Sequence, residues 1–310
     1  MNKRPIIIDT DPGVDDTIAI MLAAASDKIE IKAITPVAGN VGYEETAQNA
    51  LRLVQKLKLG CKVGIGAQKP LFIKSKTAGE IHGKGGLAGY ILPPSNKGFD
   101  GYAWDIIKEE AIKADGALEI VTLGPLTNIA TTLLRYPEIK PMIRRIVCMV
   151  GSGYMGNMNS YAEFNAWVDP DACHVVFNSG VPIVMCGLDG NEPCGLNVDE
   201  LQEYIGRKSS QSDLLDHIFK FFIQRRGEPG QKDNNQVIND AVTMAYLIDD
   251  KIGTTKKQYV AVETKGDLCV GQTIVDRLNK YKKEPNAEVL LTSNKALFKK
   301  MLDDMVDFYS

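Results

Sequence analysis

The stretch Ile6-Ile7-Ile8-Asp9-Thr10-Asp11-Pro12-Gly13-Val14-Asp15-Asp16 decides how the chain is read, because an apolar run passes directly into four aspartates within eight positions. The isoleucines read as a buried strand, Pro12 and Gly13 as the turn out of it, and Thr17 onward as helix, so Asp15 and Asp16 fall in the first helical turn. There the helix dipole favours carboxylates by about 0.3–1 kcal/mol each. That plain account serves Asp15 or Asp16 but not Asp11, which so short a turn holds close to both. Carboxylates crowded together need protons or a cation to neutralise them. Oxygen donors with no His or Cys nearby suit Ca2+ or Mg2+ better than zinc, and the spacing is not that of an EF-hand loop.

Working outward, short β-branched runs alternate with segments of helical length. Pro5–Ile8, Ile29–Thr35, Lys62–Ile65, Leu118–Thr122, Arg145–Val150 and Pro182–Cys186 read as strands, apolar almost throughout. Glu44–Lys58, Trp104–Ala114 and Pro170–Ser179 read as helices between them. Continuous apolar strands are what a parallel sheet covered on both faces requires, so the fold class is α/β, an open, mostly parallel, Rossmann-like sheet flanked by helices. After Gly187 the C-terminal third reads as more helical, with Leu214–Gln224, a polar loop from Gly227 to Asn235, and a helix starting near Asp240. Strands at Gln258–Glu263 and Gly271–Val275 and a helix near Lys295–Phe308 follow. No repeat or long linker divides the chain, so residues 1–310 are expected to form one domain.

Composition narrows the function. Of 310 residues, 44% are hydrophobic and 24% charged, with 36 basic against 39 acidic residues. That balance suits a globular protein and offers no basic footprint for nucleic acid. No apolar run is long enough to span a membrane, and the aspartates sit where a signal peptide would carry basic residues, so the expected location is cytoplasmic. Six scattered cysteines without a C-x-x-C pair suit buried, reduced thiols.

In open parallel sheets ligands sit beyond the carboxyl ends of the strands, and the segments there are polar: Asp9–Asp16, Pro36–Asn40, Leu123–Asn128 and Gly151–Asn165. Two uses of an Asp-x-Asp after a first strand compete. In a haloacid-dehalogenase-type Mg2+ phosphatase Asp9 would be the nucleophile and Asp11 an acid, which leaves Asp15 and Asp16 without a role. The whole string Asp9–Asp16 instead resembles the N-terminal fingerprint of the inosine-uridine type nucleoside hydrolases, calcium-dependent ribonucleoside N-ribohydrolases. Val37-Ala-Gly-Asn40, Ile81-His-Gly83, Leu123-Gly-Pro-Leu-Thr-Asn128, Gly156-Asn157, Ala162-Glu-Phe-Asn165, Asp169-Pro170 and Asp240-Ala241 resemble that family's later motifs in order.

The resemblance implies Ca2+ ligands at Asp11, Asp16, the carbonyl of Leu123, and Asp240. Asp11 would also be the general base acting on a calcium-bound water that Asn40 helps to place. Asp15 and Asn165 would hold ribose hydroxyls, Asn157 and Glu163 would lie by the 5′-hydroxyl, Met149 by the sugar, and His82 near the nucleobase. Homodimers or homotetramers are implied as well. An acidic pocket suits the chemistry, since cleaving an N-glycosidic bond develops positive charge on the sugar. Two positions depart from the family pattern: Asn239 stands where many members carry a His that protonates the leaving base, and Val150 where a Gly is common. Asparagine is no general acid, so His82, Tyr154 or solvent would have to assist, and a non-catalytic, Ca2+-dependent ribonucleoside-binding protein is the other alternative. His82 lies in a glycine-rich stretch that reads as a lid. His174 and His217 read as structural, and Phe219, Phe221 and Phe222 as core, with one of them or Arg226 open to the base.

Overall fold

The computed structural model describes residues 3–76, 83–225 and 235–310. Its strands are β1 (Arg4–Thr10), β2 (Ile29–Pro36), β3 (Lys62–Ile65), β4 (Gly101–Tyr102), β5 (Leu118–Thr122), β6 (Ile143–Cys148), β7 (Ile183–Met185), β8 (Gly253–Gln258), β9 (Val260–Val262), β10 (Thr273–Val275) and β11 (Ala287–Ser293). Nine of them form one sheet in the order β4-β3-β2-β1-β5-β6-β7-β11-β8. Each neighbouring pair is parallel except β11 with β8. β9 and β10 form a separate antiparallel ribbon.

Ile6, Ile7 and Ile8 are fully buried, and successive side chains serve different cores. Ile6 and Ile8 join the cluster built with the helices Val14–Ala25, Tyr43–Lys56, Ser212–Gln224, Asn239–Ile248 and Lys295–Phe308, while Ile7 joins the one built with Ala103–Ala114, Thr127–Arg135 and Pro170–Phe177. A strand with helices on both faces has no side free for polar residues, which accounts for the unbroken apolar run. Burying each isoleucine contributes about 1.5–3 kcal/mol, so a charge at Ile7 would break the sheet at its centre.

Strand order runs outward from β1 in both directions, through β2 on one side and β5 on the other, and this reversal is where doubly wound sheets open a crevice. The four aspartates leave the sheet at that point. The helix Asn239–Ile248, buried from Asp240 onward, packs against the helix Val14–Ala25, which carries Asp240 to Asp15 and Asp16 from the C-terminal third of the chain.

The sequence-read elements among the described residues are recovered with small boundary shifts, the loop read over Gly227–Asn235 lies outside them but for Asn235, and three differences are substantive. The segment read as one strand over Gln258–Glu263 is divided at Tyr259, with Gln258 ending β8 and Val260–Val262 belonging to the ribbon. β4, β8 before Gln258, and β11 were not anticipated, and β11 continues the sheet beyond β7 inside the region read as helical. Met149 and Val150, read as the end of a strand, already lie in the loop after β6. All six cysteines are free thiols, five of them buried. No helix among the described residues is long and apolar enough to cross a membrane.

Candidate active site

The loops after β1 and β2 lock together through Asn40. Its backbone N–H donates to Asp11 Oδ2 at 2.7 Å, and its side-chain amide donates to the Asp11 carbonyl at 3.1 Å and to Asp16 Oδ2 at 3.2 Å. Asp16 also accepts the Gly13 N–H at 2.9 Å and the Thr10 hydroxyl, so it caps its own helix while facing the loop. Two glycines let this packing close around Asp11. A Cβ at Gly39 would lie 2.0 Å from Asp11 Oδ2, and one at Gly124 would lie 2.6 Å from Asp11 Oδ1.

Asp9 faces away from this cluster. In register it lies between Thr35 of β2 and Thr122 of β5, and its Oδ2 accepts the Thr35 hydroxyl at 2.6 Å and the Asn128 amide at 2.8 Å. Asn128 also donates to the Pro36 carbonyl at 3.1 Å and accepts the Ala67 N–H at 2.7 Å, so Asp9 is the centre of a knot joining β1, β2 and the helix Thr127–Arg135. Burial pushes its carboxyl up to about 7, against the lowering effect of those two hydrogen bonds. The alternative reading of Asp9 as a phosphatase nucleophile finds no support here, because its Oδ2 is bound to Thr35 and Asn128, away from Asp15, Asp16 and Asp240.

The loops after β5 and β6 are joined by Asn165, whose amide donates to the carbonyls of Leu123 at 2.8 Å and Met149 at 2.9 Å. Glu163 in turn fixes Asn165. It is the N-cap of the helix Phe164–Val168, accepting the N–H groups of Asn165 at 2.7 Å and Ala166 at 3.2 Å, and it accepts the Gly151 N–H at 2.8 Å. Burial lifts its carboxyl to about 7 despite these three donors. Both of its oxygens are engaged by the backbone, so it shapes the loop besides facing the cavity.

A cavity of about 930 Å³ opens over these loops. Asp15, Asn40, Leu123, Met149, Asn157, Glu163, Asn165, Asn239 and Asp240 all line it, with Asp11 and Asp16 buried directly beneath. A larger cavity, about 1450 Å³, lies at the opposite ends of the strands between Arg4, Arg144, Arg145 and Lys257, remote from the carboxylates. Tyr154, Phe222 and Arg225 line the first cavity, whereas Phe219 is core. His174 and His217 do not line it, and His217 Nε2 instead lies 3.0 Å from the Ala88 carbonyl oxygen. His82 and Arg226 lie outside the described residues. Sequence reading missed Asp189 and Arg277, which also line the cavity; each stands alone among unremarkable neighbours.

Burial, and then repulsion from Asp16, holds the Asp11 carboxyl well above the usual range. Asp240 is raised in the same way by burial and by the charges of Asp15, Asp16 and Asp11, and Asp15 by burial. Asp15, Asp16 and Asp240 each offer an oxygen within 4.8 Å of the other two. Asp11, read from sequence as a ligand, is not in this tightest group, since its Oδ2 is turned to the Asn40 amide; its Oδ1 is buried without a hydrogen-bond partner. An all-oxygen donor set with an orphaned buried carboxylate oxygen at its edge fits a hard divalent cation, which would neutralise the mutual repulsion.

A family model described as inosine-uridine preferring nucleoside hydrolase matches residues 6–300. The pyrimidine-specific ribonucleoside hydrolase RihA of Salmonella typhimurium is 36% identical over 308 residues, covering 99% of each chain, and its Escherichia coli counterpart is 35% identical with the same coverage. Among solved structures, the plant nucleoside hydrolase PpNRh1 matches with a TM-score of 0.92 at 26% identity, covering 98% of this chain and 99% of that one. The purine-preferring ribonucleoside hydrolase from Gardnerella vaginalis matches with a TM-score of 0.90 at 29% identity, covering 98% of both.

Proposed function

The chain belongs to the inosine-uridine preferring nucleoside hydrolase family, and from that premise we propose that it cleaves the N-glycosidic bond of purine or pyrimidine ribonucleosides to free base and ribose, with Ca2+ as its cofactor. The observation that carries this reading is the gathering of Asp11, Asp15 and Asp16, from the N-terminal stretch, with Asp240, from the C-terminal third, at and beneath the floor of one cavity. Asp11, Asp16, Asp240 and the Leu123 carbonyl would hold the ion. When bound, it would supply a Lewis-acid centre that draws in the ribose diol and makes a nearby water more acidic.

The chain's own residues do the rest. Asp11 takes the proton of the attacking water, and the Asn40 N–H at 2.7 Å fixes its direction. Base catalysis of this kind contributes about 10²- to 10⁴-fold. Asp15 and Asn165 grip the ribose hydroxyls, which selects ribose over 2′-deoxyribose. The buried negative cluster stabilises the positive charge that develops on the sugar, in a setting where water cannot screen it. Met149 packs by the sugar, and Asn157 with Glu163 borders its 5′ side. Asn239 accepts a hydrogen bond from Asn191 at 3.3 Å and cannot protonate the leaving base, whose departure falls to another group in the cavity or to solvent. A cytoplasmic, single-domain protomer that associates as a homodimer or homotetramer completes the proposal; light scattering tests the association.

Assaying free ribose from uridine, cytidine, inosine, adenosine and guanosine, with Ca2+ or with a chelator, tests the reaction. The 36% identity to a pyrimidine-specific relative makes uridine and cytidine the first to try. Ribose release that vanishes with chelator and in Asp11→Ala is expected. Phosphate release from phosphoesters, or nucleoside binding without turnover, would sink the proposal.

A further inference from the structure

The loop Gly151–Ala162 roofs the cavity, and it is fastened to the β9–β10 ribbon at both ends. Near its start, the Ser152 N–H donates to Thr273 Oγ1 at 2.9 Å while the same hydroxyl donates to the Ser152 carbonyl at 2.8 Å. Near its end, Ala162 bridges to Gln272. Between these ties, the Asp189 carboxylate accepts the Gly153 N–H at 2.8 Å and the Ser152 hydroxyl at 3.0 Å.

Arg277, just past β10, completes the fastening. Its Nη1 donates to the Gly153 carbonyl at 2.9 Å, its Nη2 lies 3.6 Å from Asp189 Oδ2, and its guanidinium carbon sits 3.6 Å from the centroid of the Tyr154 ring. Tyr154 is 69% exposed and has little packing of its own, yet its ring and Arg277 both line the cavity. A planar guanidinium covering one face of an aromatic ring, with its own position fixed by a carbonyl and a carboxylate, holds that ring in one place. A ring fixed in advance binds a planar or sugar ligand without first losing its freedom.

We infer that Arg277, braced by Asp189, is a positioning residue that sets the Tyr154 ring as a substrate-binding platform over the cavity, so that it governs how tightly the nucleoside is held and not how fast the bond breaks. The inference rests on the proposed hydrolysis. Asp11 and Asp16 in the floor are held by Asn40, Thr10 and Gly13, whereas Arg277 is tied to Gly153 and Asp189, so loosening the roof leaves those two carboxylates in place.

The test combines steady-state kinetics on uridine and inosine with amide hydrogen exchange over Gly153–Tyr161. In Arg277→Ala, KM rises about tenfold with kcat within about threefold of wild type. Exchange over the roof loop quickens by at least about tenfold in the absence of substrate, with the core amides unchanged. Arg277→Lys, which keeps the cation but loses the planar fork, recovers only part of both effects, and Arg277→Gln recovers less. Tyr154→Ala raises KM similarly, and adding Arg277→Ala to it raises KM no further, as two residues acting as one unit require. Unchanged loop exchange in Arg277→Ala, additive effects in the double variant, or a fall in kcat without a change in KM would each overturn the inference. Absence of ribose release from the wild type would refute the proposed reaction alone, and the exchange comparison would then decide whether Arg277 holds the loop.

Discussion

Gly39→Ala is the sharpest probe of the cluster. The backbone at Gly39 does not have the positive φ that excludes side chains, so alanine is conformationally acceptable. Its Cβ, however, would sit 2.0 Å from Asp11 Oδ2, well inside the 3.4 Å at which ordinary contact begins, and 2.9 Å from Pro125 Cδ. The carboxylate must therefore move by more than an ångström, and it cannot simply slide away, because its other oxygen already lies against Gly124. A misplacement of about 1 Å in a reacting group lowers the rate on the order of 10²-fold, equivalent to about 2.7 kcal/mol of barrier. Forcing one methyl into such a site destabilises the fold by about 1–3 kcal/mol, which the chain should tolerate. Ribose release at saturating uridine and Ca2+, alongside urea unfolding, reads both quantities. Gly60→Ala, whose Cβ would meet nothing within 4 Å, is the control. If Gly39→Ala keeps kcat within about threefold of wild type, the placement of Asp11 by this packing is not what sets the rate.

Three further outcomes follow from the same geometry. Asp11→Asn should lower kcat by about 10²- to 10⁴-fold, whereas Asp9→Asn should retain ribose release; equal loss in both would mean that Asp9 reacts. Ca2+ at a hundredfold excess over its Kd should stabilise the wild type by about 2.7 kcal/mol in thermal unfolding, and Asp240→Asn should lose most of that gain. The third outcome concerns pH. The Asp11 and Asp240 carboxyls are raised, so in the metal-free protein their contribution to stability is present at low pH and lost as pH rises through their folded pKa values. Calcium competes with those protons, so its affinity, followed by titration calorimetry, should weaken on acidification, and its stabilising effect should be largest at neutral to alkaline pH. A pH-independent affinity would show that these groups are already ionised without the ion.

Much of this was legible in the sequence, for reasons that differ by element. β3 and β5 have the expected bounds because each is a short apolar run closed by turns on both sides. β8, Gly253–Gln258, carries two adjacent lysines and little apolar content; it is an edge strand paired only with β11, so burial leaves no pattern in it. The break at Tyr259 is equally silent, because Gln258 and Val260 belong to different sheets only through partners distant in sequence. Asp15, Asn40, Asn165 and Asp240 were found because they sit in short motifs at strand ends or a helix start. The role of Asp9 was open until Thr35 and Asn128 were seen to enclose it. Asp189 and Arg277 matter through one exposed tyrosine, a relation that no local pattern encodes.

The two halves of the cavity are anchored very differently, and this separates what can be altered in each. Asp9, Asp11 and Asp16 are at most 1% exposed; Asp9 is hydrogen-bonded to Thr35 of β2, and Asp11 and Asp16 to Asn40 in the loop that follows it, so the floor is built as an extension of the central sheet. Tyr154 and Met155 overhead are 69% and 55% exposed, and their loop is held from outside the central strands by Asp189, Thr273 and Arg277. Substitutions in the roof can thus retune how a nucleoside is held, while the arrangement proposed to break the bond stays the same.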